Sequence, residues 1–404
     1  MELYLPLVLD GATGTQLQKR GFTGGVCTEQ WVLEHPEAIL AVQRDYIEAG
    51  SNIVYAPTFS ANRVKLGESG LAEHTSDFNR RLAALSRQAA GGRALVAGDI
   101  APTGKFLSPI GDAGFDELVD IYTEQAAALE AGGVDLFVIE TTMTLPEARA
   151  ALLAVKSVSE KPVFVTFTCD AGGHTLTGTD VTAALSVMQG MGADAFGLNC
   201  SVGPEDMLVQ LRRLRKIAQI PLIAKPNAGL PEVIGGQTVY RCTPEEFIRC
   251  LPEFAAAGVG VFGGCCGTGP EHIREIARVV PTLRIAPPAP ERPDLLPAAT
   301  EKKLFLLPPD TACGTVLPCD DHLADALEEL DESVAVVGVR VTRESELPAF
   351  AANQYAVDRP LCVFCEDAAL LERVLRLYQG RALYEGSLPE TVLRPLGEKY
   401  GLLY

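Results

Sequence analysis

The sequence predicts an α/β protein in which a (β/α)₈ TIM barrel is followed by a smaller C-terminal α/β domain. From the N-terminus to about residue 281, short runs rich in Val, Ile and Phe alternate with longer segments of helical periodicity. Eight such units fit the roughly 250 residues that a barrel of this class needs. Polar residues collect at the C-terminal ends of the runs, where barrel active sites lie.

The barrel is expected over residues 1–283. Its strand-like runs cover residues 5–11, 52–59, 94–100, 135–141, 162–168, 195–201, 221–227 and 259–266. Helical segments follow them, most clearly at 36–50, 115–133 and 244–258, and several end at Gly, a common helix stop. An open doubly wound sheet is the alternative, but no GxGxxG motif follows the first run.

Two further segments follow the barrel. Residues 284–301 are proline-rich without apolar periodicity, which predicts a semi-extended linker. Alternation resumes over 302–404, with strand candidates at 303–308, 334–341, 360–366 and 381–386 and helix candidates at 322–333 and 367–380. About a hundred residues can form a small α/β layer but cannot close a second barrel of ordinary size.

Composition limits the partners and the compartment. The 404 residues carry a net charge of −18, which argues against nucleic acid or an anionic membrane surface as a partner. The start lacks a basic, apolar signal sequence, and no apolar run is long enough to span a bilayer. We therefore expect a cytoplasmic protein, whose 11 cysteines are free thiols or metal ligands.

The sequence GGCCGT at residues 263–268 predicts a metal site. Neighbouring side chains of a regular strand point to opposite faces, so Cys265 and Cys266 can bind one ion only if the backbone bends. The flanking glycines permit such a bend. Cys200, at the end of the sixth run, supplies a third thiol at the same end of the barrel. Three thiolates suit Zn²⁺, and three protein ligands with a fourth position open are typical of catalytic zinc.

The remaining cysteines carry weaker signals. Cys362 and Cys365 form a CxxC motif, but positions i and i+3 of a strand face opposite ways, so we expect core packing. The others have no clear partner by spacing: Cys27, Cys169, Cys242, Cys250, Cys313 and Cys319.

Three polar side chains are candidates for binding a substrate. Asp10 ends the first run and Glu140 the fourth, and either carboxylate can receive an ammonium group or take part in acid–base chemistry. Helix capping or a surface ion pair is the alternative for both. Asn227, in the turn after the seventh run, either binds substrate or braces its own loop.

Six segments resemble the homocysteine S-methyltransferase family. They are DGATGTQLQKRG, PTFSANRVKLGESGL, IETTMTLPEARAA, GLNCSVGP, KPNAGLP and GGCCGTGPEHI, in this order across residues 1–281. They are most similar to the homocysteine-binding domain of cobalamin-dependent methionine synthase. The resemblance implies zinc ligation by Cys200, Cys265 and Cys266, and binding of the homocysteine amino group by Asp10 and Glu140.

The resemblance also implies an activity. Zinc would bind homocysteine as a thiolate, which attacks an activated methyl group and gives methionine. Residues 373–404 resemble a fragment of a pterin-binding barrel, and no DxHxxG cobalamin motif is found, so methylcobalamin would arrive on a separate corrinoid protein. The alternatives are another thiol acceptor, S-methylmethionine or betaine as donor, or a non-catalytic binding subunit for corrinoid or folate partners.

Overall fold

The computed structural model of the chain describes residues 3–234 and 237–404. Eight strands form one parallel sheet. They are β1 (Leu7–Val8), β2 (Ile53–Tyr55), β3 (Leu95–Ile100), β4 (Leu136–Thr142), β5 (Val163–Phe167), β6 (Ala195–Asn199), β7 (Leu222–Lys225) and β10 (Val259–Phe262), and their order in the sheet is β1-β10-β7-β6-β5-β4-β3-β2. A separate antiparallel pair, β8 (Glu232–Ile234) and β9 (Gln237–Val239), lies between β7 and β10 in the chain.

A side chain closes the barrel between its first and second strands. The backbone N–H of Asn52 donates to the Val8 carbonyl at 2.7 Å, and the Val8 N–H donates to Asn52 Oδ1 at 2.8 Å. Further along, Asp10 Oδ2 accepts the N–H of Tyr55 at 2.7 Å. These bonds satisfy backbone groups that an open edge would expose, so the predicted closed barrel is confirmed in preference to an open sheet.

Helices surround the barrel and bury the outer faces of its strands. They are α1 (Thr13–Gln18), α2 (Thr28–Glu34), α3 (Pro36–Ala49), α4 (Arg63–Gly67), α5 (Thr75–Ala90), α6 (Phe115–Ala131), α7 (Leu145–Val158), α8 (Val181–Gly190), α9 (Pro204–Arg215), α10 (Pro244–Phe247), α11 (Leu251–Ala256) and α12 (Pro270–Val279). A separate apolar cluster fills the barrel interior and includes Leu9, Val138 and Ile223. The barrel therefore has a packed interior, as is usual for this fold.

One predicted helix is interrupted. The sequence predicts a single helix over 244–258, whereas α10 and α11 are separated by a 3₁₀ turn at Ile248–Cys250. Pro252 is the physical reason, because proline has no N–H to donate and its ring clashes with the carbonyl four residues earlier.

The C-terminal segment forms a small α/β layer, as predicted. Its elements are β11 (Leu296–Ala299), β12 (Leu304–Leu307), β13 (Val316–Pro318), α13 (Leu323–Glu328), β14 (Val337–Arg340), α14 (Leu347–Asn353), β15 (Leu361–Phe364), α15 (Ala368–Leu377), β16 (Leu383–Tyr384) and α16 (Glu390–Tyr400). Strands β11 and β12 form an antiparallel hairpin, and the parallel sheet that follows has the order β13-β14-β15-β16.

The predicted linker ends earlier than expected, because its last residues belong to the hairpin. Residues 296–299 lie within the segment expected to be a linker, yet they form β11 and pair with β12. Proline is tolerated here because Pro297 pairs with β12 alone, although Ala299 at the end of β11 also forms a bridge with Arg381. The Pro297 carbonyl accepts the hydroxyl of Ser186 from α8 at 2.6 Å, which ties the hairpin to the barrel.

The layer packs against α7 and α8 of the barrel. Arg149 of α7 is fully buried and donates to Gln379 Oε1 at 2.8 Å and to the Leu375 carbonyl at 2.9 Å. Arg381 donates to the Gly401 carbonyl at 2.9 Å and reaches the Ser186 carbonyl at 3.4 Å. One apolar core is continuous across this junction. No helix among the described residues is both long and apolar enough to cross a bilayer.

Candidate functional site

Three thiols converge at the C-terminal end of the barrel. The sulfur atoms of Cys200, Cys265 and Cys266 all lie within 4.8 Å of one another, and those of Cys200 and Cys266 are 3.8 Å apart. Ligand sulfurs at about 2.3 Å from a tetrahedral zinc ion stand about 3.8 Å apart. The spacing and the all-sulfur donor set therefore fit zinc without rearrangement of the backbone.

The segment after β7 fixes the backbone of all three cysteines. The N–H of Cys200 donates to the Lys225 carbonyl at 3.1 Å, and the N–H of Cys265 donates to the Pro226 carbonyl at 2.9 Å. The Cys266 carbonyl in turn accepts the N–H of Ala228 at 2.9 Å. Residues 225–228 thus hold the ends of β6 and β10 at a constant separation.

Left-handed backbone is concentrated beside the thiols. Cys200 and Ser201 both have φ of 61°, and Thr141, at the end of β4, has φ of 56°. Such a conformation costs a non-glycine residue about 1–3 kcal/mol and is typical of functional sites. At Cys200 the chain therefore accepts strain directly at a candidate ligand.

The glycines around the cysteine pair act differently from the expectation. Only Gly267 has a positive φ, of 81°, and so supplies the conformational freedom predicted for all three. Gly263 and Gly264 are needed for space, because a Cβ atom at Gly264 would lie 2.4 Å from Thr268 Oγ1 and one at Gly263 2.9 Å from Leu9 Cβ. The pair is positioned by close packing on one side and by a left-handed turn on the other.

Hydrogen bonds among the three thiols shift the pKa values of Cys200 and Cys265 in opposite directions. Cys265 and Cys266 lower the pKa of the Cys200 thiol, and the same interactions raise the pKa of Cys265 well above its usual value. The Asn227 amide also lowers the pKa of Cys200. Thiols packed this closely compete for protons, and a cation is the simplest means of ionising all three.

Asn199 is a positioning residue that the sequence analysis did not single out. Its Oδ1 accepts the Thr141 N–H at 2.9 Å and its Nδ2 donates to Thr141 Oγ1 at 2.7 Å. The same Nδ2 lies 3.9 Å from the Cys265 sulfur. It therefore connects the left-handed end of β4 to the thiol cluster, and its place at a strand end directly before Cys200 was the available signal.

Asn227 lies beside the thiols. The residue is buried, its N–H donates to the Val202 carbonyl at 3.0 Å, and its Oδ1 has no hydrogen-bond partner among the described residues. The backbone bond supports a bracing role in the loop. Contact of the side chain with substrate stays a prediction, because Asn227 is not among the residues that line the cavity at the barrel mouth.

The two predicted carboxylates meet next to the thiols, on either side of a lysine. The Lys225 ammonium lies 3.4 Å from Asp10 Oδ1 and 3.6 Å from Glu140 Oε2. All three side chains are nearly or fully buried. Burial raises the pKa of both Asp10 and Glu140, and Lys225 opposes that rise. Neither acid caps a helix or forms a surface ion pair, so both lie where a ligand can meet them.

Asp99 completes the acidic cluster. It ends β3 and is buried, and its Oδ1 has no hydrogen-bond partner among the described residues. Burial, followed by the charge of Glu140, raises the pKa of Asp99 well above its usual value. Burial and the neighbouring Glu140 both favour the uncharged form of Asp99.

A cavity of about 430 Å³ joins the thiols to the acids. That volume lies within the range of small-molecule sites. Its walls come from the ends of β1, β2, β4, β6, β7 and β10 and include Asp10, Glu140, Lys225, Cys200, Cys265 and Cys266. A thiol at one end of this cavity and a charged group at the other can be held at the same time.

The other cysteines lie apart from this cavity. Cys362 and Cys365 are buried in separate apolar clusters of the C-terminal layer, which confirms the predicted core packing of the CxxC motif. Among the described residues, Cys200, Cys265 and Cys266 are the one group of potential metal ligands brought together by the fold.

The fold and the site define a class: a (β/α)₈ barrel with a three-thiol centre and an acid-lined cavity at its C-terminal mouth. The family model for homocysteine S-methyltransferase matches residues 7–280, and the chain belongs to this family.

Curated relatives are much longer than the matched region. Methionine synthase of Mycobacterium leprae (strain TN) is 35% identical over 294 residues, which cover 68% of this chain and 24% of that protein. Methionine synthase of Mycobacterium tuberculosis (strain ATCC 25618 / H37Rv) is 34% identical over 298 residues, covering 69% of this chain and 25% of that protein. The match thus spans about a quarter of each relative.

A solved structure shares the barrel. The metallated form of the homocysteine methyltransferase MmuM from Escherichia coli has a TM-score of 0.58 and 26% identity, covering 68% of this chain and 96% of that one. The oxidized form of the same enzyme has the same TM-score at 24% identity. The likeness covers about as much of this chain as the family model matches.

Proposed function

We propose that this chain transfers a methyl group to the thiol of homocysteine and forms methionine in a zinc-dependent reaction. The convergence of Cys200, Cys265 and Cys266 at the mouth of the acid-lined cavity carries this proposal. Family membership and the metallated relative support it. Zinc held by these thiols would supply Lewis-acid chemistry that ionises a thiol near neutral pH, where a free thiol of pKa about 8.5 is mostly protonated.

The chain's own residues bind and orient the substrate. Glu140, in the wall of the same cavity as the thiols, offers a carboxylate to the substrate ammonium, and the largely apolar cavity surface limits access of water. Asn199 and the segment 225–228 hold the thiols in place during turnover. As the new S–CH₃ bond forms, the electron pair of the broken bond remains with the donor and the thiol proton goes to solvent.

We propose a methylated corrinoid as the donor, carried by a separate protein. The similarity to proteins named methionine synthase supports a methionine-forming reaction, and the match spans about a quarter of each of those longer chains. The cavity opens at the barrel mouth, where a carrier can approach. This proposal places both the corrinoid and its protein outside the described chain.

A donor screen tests the proposal. Zinc-loaded protein and homocysteine are offered a methylated corrinoid protein, free methylcobalamin, S-methylmethionine, betaine and methyltetrahydrofolate, and methionine is measured. We expect turnover with the corrinoid donors. Turnover only with S-methylmethionine or betaine would replace the donor assignment, and turnover with none would favour a binding subunit.

A further inference from the structure

Lys225 is a buried cation in the middle of the proposed amine-binding site. It ends β7, whose other residues are apolar, and its side chain is only 4% exposed. Its ammonium lies 3.6 Å from the centroid of the Tyr55 ring as well as beside Asp10 and Glu140. Two carboxylates and the face of an aromatic ring therefore surround the ammonium and pair its buried charge.

Asp10 and Glu140 differ in how their oxygens are occupied. Asp10 Oδ2 accepts the Tyr55 N–H at 2.7 Å across the barrel seam, and Asp10 Oδ1 accepts from Lys225 at 3.4 Å. Glu140 Oε2 has no hydrogen-bond partner among the described residues and meets Lys225 only at 3.6 Å. An incoming ammonium therefore meets an unpaired oxygen on Glu140, whereas both oxygens of Asp10 already accept a hydrogen bond.

The numbers of acidic and basic groups in the site support the same assignment of the substrate amine to Glu140. Three buried acids, Asp10, Glu140 and Asp99, lie in the cavity wall beside one buried cation, Lys225. Buried charge is stable only when paired, and the acids outnumber the cation. The site thus has room for one additional ammonium.

We propose that Lys225 is a specificity-determining residue that occupies the Asp10 half of the amine site and leaves Glu140 as the charge partner of the substrate. This inference rests on the proposed function, since it concerns how homocysteine is bound. It narrows the binding of the amino group by Asp10 and Glu140, which the resemblance implies, to Glu140. The chain consequently gains less from the substrate amine than a site with both carboxylates free.

The contribution of the substrate amine to binding is measured by comparing two thiol ligands. Homocysteine and 4-mercaptobutanoate, which lacks only the amine, are titrated calorimetrically into zinc-loaded wild-type protein and the Lys225→Met variant, in which an unbranched apolar chain replaces the cation. We expect the dissociation constant of 4-mercaptobutanoate divided by that of homocysteine to rise at least about tenfold in the variant. The reason is that Asp10 Oδ1 becomes a second charged acceptor for the amine of homocysteine. An unchanged or smaller ratio would overturn the proposal.

Two further variants keep the test decisive. Lys161→Met serves as the matched control, because Lys161 pairs with Glu130 outside the cavity, and its ratio should equal that of the wild type. Glu140→Gln leaves Lys225 in place and should bring the ratio close to one, whether or not Lys225→Met folds. Discrimination that survives in Glu140→Gln would assign the amine to Asp10 and refute the proposal. Failure of both thiols to bind the wild type would instead reject the proposed function, and this inference with it.

Discussion

The barrel mouth and the junction with the C-terminal layer both bury charged side chains, but they differ in what surrounds the unpaired atoms. At the junction, Arg149 and Arg381 donate to side-chain and backbone oxygens that lie within the protein, and Arg149 Nε is left without a partner among the described residues. At the mouth, Glu140 and Asp99 each have an oxygen without a hydrogen-bond partner among the described residues, and both acids line the cavity. Buried polar groups are normally paired, and the cavity can hold the ligand that would pair the acids.

Left-handed, strained backbone at non-glycine residues is likewise found at the barrel mouth. The left-handed residues Thr141, Cys200 and Ser201 all lie at the mouth, on the ends of β4 and β6. Neither Arg149, Gln379 nor Arg381 at the junction has a positive φ, and Arg149 remains cationic near neutral pH even though burial lowers its pKa to about 10. The mouth is therefore arranged for a ligand and the junction for stability, and variants of the two regions should have separate effects.

The largest effect is expected from removal of one thiol at the mouth. Cys266→Ser should reduce zinc affinity more than about 100-fold and abolish methyl transfer, since changes outside the ligand set alone cost about 10–100-fold. Zinc content after dialysis against a chelator measures this. Cys362→Ser, in the C-terminal sheet, is the matched control and should keep full zinc. Equal zinc retention in the two variants would refute the assignment of the thiol cluster.

A smaller effect is expected from Glu140→Ala. Homocysteine affinity should fall about 10- to 100-fold, because a hydrogen bond to a charged group contributes about 1.5–3 kcal/mol. Zinc should stay bound, as Glu140 is not among the three thiol ligands. Glu372→Ala, which removes the partner of Lys399 in the C-terminal layer, should leave homocysteine binding unchanged. Unchanged affinity in Glu140→Ala would exclude this carboxylate from substrate binding.

Arg149→Met should act on stability alone. The variant leaves Gln379 and the Leu375 carbonyl without their donor, and the free energy of unfolding should fall by about 1–3 kcal/mol. Chemical denaturation checks this value, and zinc content and homocysteine affinity are measured on the folded variant. Loss of homocysteine binding in a folded Arg149→Met protein would show that the two regions are coupled and would remove the distinction drawn between them.

Sequence reasoning recovered the barrel and the thiols because both depend on local patterns. Alternating apolar runs identify strands, parallel strands bring their C-terminal ends together, and Cys200, Cys265 and Cys266 all stand at such ends. The Cys362–Cys365 motif was assigned to the core by the same strand geometry. Each of these conclusions requires only the periodicity of one element and the topology of the barrel.

Lys225 escaped the sequence analysis for a physical reason. A lysine at a strand end is usually solvated, and whether it turns inward depends on how strands β1, β4 and β7 are tilted and staggered against one another. Those long-range relations bring Asp10, Glu140 and Lys225 together across more than two hundred residues of sequence. The break between α10 and α11 was, in contrast, readable from Pro252 alone.

Zinc held by the three thiols should bind homocysteine as a thiolate. Proton release on binding can be measured by calorimetric titration of homocysteine at pH 7 in buffers of different ionisation enthalpy. Zinc-loaded protein should release about one proton per homocysteine bound, because the free thiol of pKa about 8.5 arrives protonated. Methionine, whose sulfur has no proton, should release none. Binding of homocysteine without proton release, or equal release after zinc is removed, would show that homocysteine is not bound as a zinc thiolate.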